Sequence, residues 1–171
     1  MPAAVRIALT LLAVGVIAGG GWMLTRASAP PIEQPIAFSH KVHVLGEELE
    51  CQDCHEAART SAHAGFPNLR NCHECHRDAE GDHPDEPKIR EFAEKGMEIP
   101  WVPVNRNAGH VYFSHRAHVT FAEMDCAECH GKIEELDAPP KHPRPELHSM
   151  SACVDCHRQR EASLECASCH K

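Results

Sequence analysis

Five copies of the motif Cys-x-x-Cys-His constrain this chain more than any other feature of its sequence. Together they use all ten cysteines, and each second cysteine is followed directly by a histidine. The copies run over 51–55, 72–76, 126–130, 153–157 and 166–170. Two thiols three residues apart lie on one helical turn and reach both vinyl groups of a haem, while the histidine meets the iron. The motifs therefore predict five covalently bound c-type haems.

The residues expected to hold these haems follow directly from the motifs. The predicted attachment residues are Cys51, Cys54, Cys72, Cys75, Cys126, Cys129, Cys153, Cys156, Cys166 and Cys169. The predicted proximal iron ligands are His55, His76, His130, His157 and His170. Zinc ribbons and disulfides also use Cys-x-x-Cys pairs, but neither requires a histidine after every second cysteine. The spacing therefore favours haem over both alternatives.

A repeated histidine pair precedes two of the motifs. The sequence Phe-Ser-His-Lys-Val-His at 38–43 is matched 75 residues later by Phe-Ser-His-Arg-Ala-His at 113–118. In both copies the two histidines stand 11 and 8 residues before the first cysteine of the next motif. This repeat predicts two haem-binding modules, at about 36–85 and about 110–171. The distal iron ligands that it predicts are His40, His43, His115 and His118.

The ligand of the fifth distal position remains open at this point. The histidine candidates are His63, His110, His142 and His148, and the sulfur candidates are Met150, Met97 and Met124. Two imidazoles give a haem a low potential, and an imidazole with a thioether gives a higher one, within a range of about 0.8 V. A haem with imidazole on both faces cannot readily bind a substrate at iron. The excess of histidines therefore favours electron relay over catalysis.

The N-terminal segment differs from the rest of the chain. Residues 7–25 are 19 positions without a charge, and at about 1.5 Å per residue a helix of this length spans roughly 28 Å, close to the hydrocarbon thickness of a bilayer. We predict a membrane anchor within 1–27, a proline-containing stalk at 28–35 and a pentahaem domain at 36–171. A cleaved signal peptide is the alternative, because Ala27-Ser28-Ala29 has the small-x-small form of a cleavage site. Since c-type haem is attached outside the cytoplasm, the domain is expected on the periplasmic side of the cytoplasmic membrane.

The haem domain has little material for a conventional hydrophobic core. Few aromatic residues and no long apolar run follow residue 30, and no stretch alternates long enough for a sheet. We predict a mainly α fold with much irregular structure, organised around covalent haems. A linker helix is expected at about 87–96, from Pro87 near its start to Gly96 at its end. The net charge is −8, and the sequence has no basic stripe that could follow a phosphate backbone. Nucleic acid is therefore not expected as a partner.

With these motifs in view, the chain resembles the small multihaem cytochromes of class III type, whose modules open with Phe-x-His-x-x-His. It is also similar to the pentahaem cytochrome subunit of alternative complex III, at 98–102, 110–115, 126–131, 153–158 and 166–170. This resemblance implies a subunit that passes electrons from the membrane subunits of a quinol-oxidising complex to a downstream cytochrome or oxidase. It also implies that His40 serves the haem at 51–55 and His115 the haem at 126–130.

Two other functions remain open. The first is a free-standing anchored cytochrome that itself oxidises quinol and feeds a periplasmic reductase. The second is a multihaem enzyme with an open haem iron. No motif departs from Cys-x-x-Cys-His and histidines are in excess, which weighs against the enzyme. The sequence therefore predicts an electron-transfer subunit, with the lipid bilayer as a further partner of the N-terminal helix.

Overall fold

The computed structural model describes residues 30–171 and, before them, only positions 5, 11, 12 and 15. The chain divides into one unit at 1–31 and a second at 32–171. The predicted membrane helix within 1–27 lies almost entirely outside the described residues, so it stays a prediction. Among the residues that are described, no helix is both long enough and apolar enough to cross a bilayer.

Short helices joined by irregular segments make up the unit at 32–171, as predicted for the fold class. The α-helices are α1 (Cys51–Cys54), α2 (Leu69–His73), α3 (Pro87–Glu94), α4 (Cys126–His130), α5 (Pro145–His148), α6 (Met150–Gln159) and α7 (Cys166–Cys169). Two π-helical turns lie at Lys41–Gly46 and Ala117–Phe121, and two 3₁₀ turns lie at Glu56–Arg59 and Ile133–Glu135. Within 32–171 the β-pairing consists of one isolated antiparallel bridge, between Val111 and His170.

A small apolar cluster lies where the start of this unit meets α2 and α3. Its four buried members are Ile36, Leu69, Ile89 and Ile99. Elsewhere in the described part of the chain, Met124 is the one further apolar side chain buried to this degree, and no side chain is less than 2% exposed. So little buried apolar surface cannot organise a domain of this length by itself. The fold therefore needs a further component in its interior.

The linker helix expected at about 87–96 corresponds to α3. Pro87 stands in its first turn, where the fixed φ of proline suits a helix and no N–H is missed. Gly96, two residues past its last residue, takes a φ of 60°, a left-handed conformation that glycine adopts without strain. Ile89 is buried in the apolar cluster and Phe92 packs against it. This packing fixes α3, and with it Glu86, beside the second motif.

The sequence repeat is also a structural repeat. In both modules the second histidine of the pair lies in a π-helical turn, a rare geometry that is frequent at functional sites. Phe38 stacks on His43 with ring centroids 4.3 Å apart, and Phe113 stacks on His118 at 4.5 Å. Each phenylalanine also meets the first histidine of its pair edge-on, at 4.9 Å in both modules. The phenylalanine of the repeat therefore holds both imidazoles in place.

In both modules a glutamate with a left-handed backbone conformation stands between the histidine pair and the motif. Glu48 has a φ of 56° and Glu123 a φ of 50°, and each stands three residues before the first cysteine. A residue with a side chain adopts this conformation only where its surroundings require it. The two modules thus share the turn that directs the chain from the histidine pair into the motif.

Candidate haem-binding site

Each Cys-x-x-Cys pair lies on about one helical turn. In α1, α4 and α7 both cysteines are helical, and the histidine is the last helical residue or follows it directly. The second motif begins in α2 and continues into the turn after it, while the fourth lies inside α6. No disulfide joins any of the ten cysteines. The thiols are therefore available for thioether bonds rather than for one another.

Acidic capping boxes fix the start of the first and third motifs. The N–H of Glu50, which directly precedes α1, donates to the carboxylate of Asp53, which lies within α1, at 2.8 Å. At the equivalent place, the N–H of Asp125 donates to the carboxylate of Glu128 at 3.1 Å. These reciprocal bonds satisfy donors at the helix N-terminus that would otherwise have no partner. These capping boxes therefore favour helical geometry at the cysteine pairs of the first and third motifs.

Three motif histidines present Nε2 as the free ring nitrogen. The Nδ1 atoms of His55 and His157 lie 3.0 Å and 2.8 Å from backbone carbonyl oxygens. A carbonyl can only accept, so Nδ1 carries the proton and donates. Nδ1 of His76 donates instead to a carboxylate oxygen of Glu86, at 3.3 Å. A second hydrogen bond of this kind is the usual way in which a metal-binding histidine is oriented.

Three distal candidates show the same arrangement. Nδ1 of His43 and of His118 donates to the carbonyl of the serine four residues earlier, at 2.8 Å in both modules. Nδ1 of His115 donates to the carbonyl of Ala62 at 3.1 Å. Each imidazole is held through one nitrogen and leaves Nε2 unprotonated. These rings are therefore prepared to bind a metal in the same way as the motif histidines.

Each of these three distal candidates faces a motif histidine. The distances between ring centroids are 6.1 Å for His43 and His76, 6.3 Å for His115 and His130, and 6.0 Å for His118 and His157. Metal–imidazole bonds are about 2 Å long, so two imidazoles on opposite faces of one iron have centroids roughly 6 Å apart. The three pairs therefore fit haem iron bound from both sides.

Of the candidates for the remaining distal position, His110 is brought to the last motif. Its ring stacks on His170 at 5.3 Å with an interplanar angle of 22°. Two backbone hydrogen bonds fix this contact. The N–H of Tyr112 donates to the carbonyl of Cys169 at 2.7 Å, and the N–H of Lys171 donates to the carbonyl of His110 at 3.1 Å. The isolated β-bridge lies between these two bonds. His110 is thus placed against its motif by the main chain.

His40 lies beside the first motif. Burial lowers the pKa of His40, and the nearby His55 lowers it further. Its Nδ1 is buried and has no hydrogen-bond partner. A buried polar nitrogen of this kind is expected to have a partner in the native site. The position therefore agrees with a role opposite His55.

The third motif has a second histidine within reach. The ring of His148 lies 5.6 Å from that of His130, and its Nε2 is buried without a partner. Burial, followed by the proximity of His148 and His115, lowers the pKa of His130 to about 4. His130 is therefore neutral at pH 7, as a metal ligand must be. His115 has both the longer centroid distance and the fixed Nδ1, which favours it over His148 as the opposite ligand.

Most of the other candidates are exposed to solvent. His63 and His142 are exposed. Met150 is 69% exposed and Met97 is 51% exposed, whereas Met124 is buried. None of the described ring contacts joins His63 or His142 to a motif histidine. The structure therefore brings five of the predicted distal histidines to motifs, with His148 as an additional neighbour.

The thiols that raise one another's pKa values indicate which motifs are neighbours in the first half of the site. Burial and the nearby Cys54 raise the pKa of the Cys72 thiol to about 11, which sets the second motif beside the first. Burial also raises the pKa of Cys51, followed by the effect of Cys126, to which it is hydrogen bonded. The first motif therefore lies between the second and the third.

The second half of the site continues in the same way. Burial and then Cys156 raise the pKa of Cys129, which joins the third motif to the fourth. Burial and then Cys169 raise the pKa of Cys153, which joins the fourth motif to the fifth. The spatial order of the motifs is thus 72–76, 51–55, 126–130, 153–157 and 166–170. The motifs at 51–55 and 72–76 therefore have the opposite order in space from their order in the chain.

One residue of the site has no counterpart in the sequence prediction. Glu86 is 7% exposed and accepts hydrogen bonds from His76 and from the guanidinium of Arg90. The bond from Arg90 is the largest cause that lowers the pKa of Glu86 to about 2, so its carboxylate is ionised at neutral pH. In the sequence, the acidic residues before Pro87 only indicate a helix start. Glu86 and Arg90 stand about one helical turn apart, and this spacing is the sequence feature from which their ion pair could have been predicted.

Comparison with known proteins agrees with this geometry. Residues 23–98 match the model of the class III cytochrome C family, and residues 111–171 match that of cytochrome c7 and related cytochrome c. The chain is also 32% identical over 175 aligned positions to a protein of Nitratidesulfovibrio vulgaris named menaquinone reductase, multihaem cytochrome c subunit. That similarity covers 89% of this chain and 83% of the relative. The two matched ranges correspond to the two halves of the repeat.

Proposed function

Because this chain belongs to the class III multihaem cytochrome c family, we propose that it is the electron-transfer subunit of a membrane quinone oxidoreductase of the menaquinone reductase type. The similarity to a subunit of that name along 89% of the chain supports the proposal. The observation that carries it is that three of the five motif histidines face a second imidazole at 6.0 to 6.3 Å, and that a fourth, His170, stacks on His110 at 5.3 Å. Such sites leave no open coordination position for a substrate.

We infer that the ten cysteines hold five haems and that each iron is bound by two imidazoles. The proposed pairs are His40 with His55, His43 with His76, His115 with His130, His118 with His157, and His110 with His170. Bound haem supplies reversible one-electron oxidation and reduction. The protein supplies the thioether links, the Nε2 ligands and the hydrogen bonds that keep each ring oriented. Bis-histidine ligation places such sites at the low end of the potential range of haem proteins.

The order of the motifs gives the subunit two ends. We propose that the site at 72–76 and the site at 166–170 exchange electrons with other proteins, and that the three motifs between them connect these ends. The uncharged segment 7–25 would hold the subunit at the membrane on the periplasmic side. The neighbouring subunits of the complex would then be the first partner. A further cytochrome or oxidase would be the second.

The direction of electron flow separates two versions of this function. In a menaquinone reductase, electrons pass through the cytochrome to the quinone. In a complex of the alternative complex III type, they pass from quinol outward, and the sequence similarity at 98–102 and 110–115 favours this second candidate. Both use the same cytochrome scaffold. The similarity that covers 89% of the chain favours the first.

The test of the proposed function is purification of the native complex. Solubilised from its own membrane in mild detergent, the cytochrome should co-purify with polytopic subunits. With a reduced low-potential viologen as donor, the complex should reduce a menaquinone analogue in multiple turnovers. Steady oxidation of menaquinol by an oxidised cytochrome, without the reverse activity, would favour the second candidate. Migration of the cytochrome as a lone monomer would refute a role as a subunit.

Replacing a proposed distal ligand should change the spin state of one haem. In His43→Ala and in His118→Ala, the iron opposite should lose one of its two strong-field ligands and become high-spin. Paramagnetic resonance and the visible spectrum of the oxidised protein measure this change. His83→Ala is the matched control, because His83 is exposed in a polar turn. Retention of five low-spin haems in both variants would show that these two histidines are not ligands.

A further inference from the structure

We propose that Glu86 is a positioning residue that lowers the reduction potential of the haem held at 72–76, by accepting a hydrogen bond from the proximal ligand His76. The inference rests on the proposed ligation of that haem by His76. It assigns a specific role to one end of the motif array. The contacts of Glu86 differ from those at the other motifs.

The acceptor at His76 is charged, whereas the others are neutral. Nδ1 of His55 and of His157 donates to backbone carbonyls, and so do the distal candidates His43 and His118. Nδ1 of His76 lies 3.3 Å from Oε1 of Glu86. A carboxylate is a stronger acceptor than an amide carbonyl and draws the Nδ1 proton further from the ring. Among the motif histidines whose Nδ1 has a described acceptor, His76 is the one that donates to a carboxylate.

The carboxylate is fixed in this position by other groups. Oε1 of Glu86 also accepts from the N–H of Glu80 at 3.2 Å and from Arg90 at 2.5 Å. The Arg90 guanidinium donates in addition to the carbonyl of Asp78 at 3.1 Å. The Glu86 side chain is only 7% exposed, so solvent screens its charge weakly. These contacts hold one oxygen toward His76.

An electron-rich ligand stabilises the oxidised iron more than the reduced iron. The ferric state carries one more positive charge, so both the imidazolate character of His76 and the nearby carboxylate favour it. The haem at 72–76 should therefore give up its electron more readily than it would with a neutral acceptor at Nδ1. Since this motif lies at one end of the array, Glu86 would make that end the stronger reductant.

The variant Glu86→Gln tests the assignment, because glutamine keeps the shape and an acceptor oxygen but removes the charge. We expect the equilibrium constant for reduction of one haem to rise about tenfold, equivalent to about 59 mV for one electron, with the other haems unchanged. Potentiometric titration of the matured, detergent-solubilised full-length chain measures this shift. The paramagnetic resonance signal of the same haem should show a larger spread of g values.

Two further variants separate this effect from a general change of charge. Glu91→Gln removes the same charge from α3, but Glu91 is exposed and pairs with Lys95, so no haem should shift. Arg90→Gln leaves the carboxylate without its cation and should move the same haem in the opposite direction. It also keeps the proposal testable if Glu86→Gln does not mature.

The outcomes distinguish this inference from the proposed function. An unchanged titration curve in both Glu86→Gln and Arg90→Gln, or equal shifts in Glu86→Gln and Glu91→Gln, would overturn the role of Glu86. A high-spin haem at 72–76 in the unmodified chain would instead overturn the ligation by His76. Neither measurement requires the quinone or a partner subunit, so failure of the proposed complex would leave the result on Glu86 intact.

Discussion

Produced where haem cannot be attached, this chain should not fold. The described part buries only five apolar side chains, four of them in one cluster. A chain with so small a core cannot offset the entropy lost on ordering, so the haems must supply the missing interior. Far-UV circular dichroism and limited proteolysis of the haem-free chain should show a largely unfolded polypeptide.

The matured protein is the control for this experiment. Its intact mass should exceed that of the polypeptide by five haem masses, and it should unfold cooperatively on heating. A haem-free chain that shows a cooperative transition with native helix content would contradict the argument from burial. A complete maturation that yields fewer than five haem masses would contradict the proposed count.

Deleting the first motif should isolate the haem of the second. In Cys51→Ala combined with Cys54→Ala, the site at 72–76 loses the one neighbour that the thiol contacts give it. Neighbouring ferric haems broaden each other's paramagnetic resonance signals. One low-spin signal should therefore sharpen to that of an isolated haem in this variant.

Deleting the second motif should have a different result. Cys72→Ala combined with Cys75→Ala removes a terminal site and leaves the other four contiguous, so every remaining signal should stay broadened. If the haems instead followed the order of the chain, the two variants would exchange their results. Intact mass must show four haems in each variant, and the remaining haems must be low-spin, for the comparison to be valid.

Local chemistry explains what could be predicted from the sequence. The spacing of each cysteine pair and its histidine requires only one helical turn, and the structure has that turn at Cys51–Cys54 and Cys166–Cys169. The linker helix was predictable because Pro87 and Gly96 mark its ends. The prediction of a multihaem electron carrier is confirmed by the family to which the chain belongs. These features depend on residues close in sequence.

Tertiary contacts explain what could not be predicted. His43 meets a histidine 33 positions later and His118 one 39 positions later, and these separations do not repeat between the modules. The choice of His110 depends on backbone bonds to the last motif. The exchange of the first two motifs in space depends on how α1 and α2 pack. No local pattern carries this information, and the type of quinone complex likewise does not follow from motif spacing.

The bridge between Val111 and His170 has a consequence for biosynthesis. A secreted chain emerges from the membrane with its N-terminal part first. The first module carries His40 and His43 ahead of both its motifs, so its sites can be completed while later residues are still being exported. The second module is different, because His110 must wait for the fifth motif, 60 residues behind it. Maturation of this protein should therefore proceed from one module to the next, with the pairing of His110 and His170 the last to form.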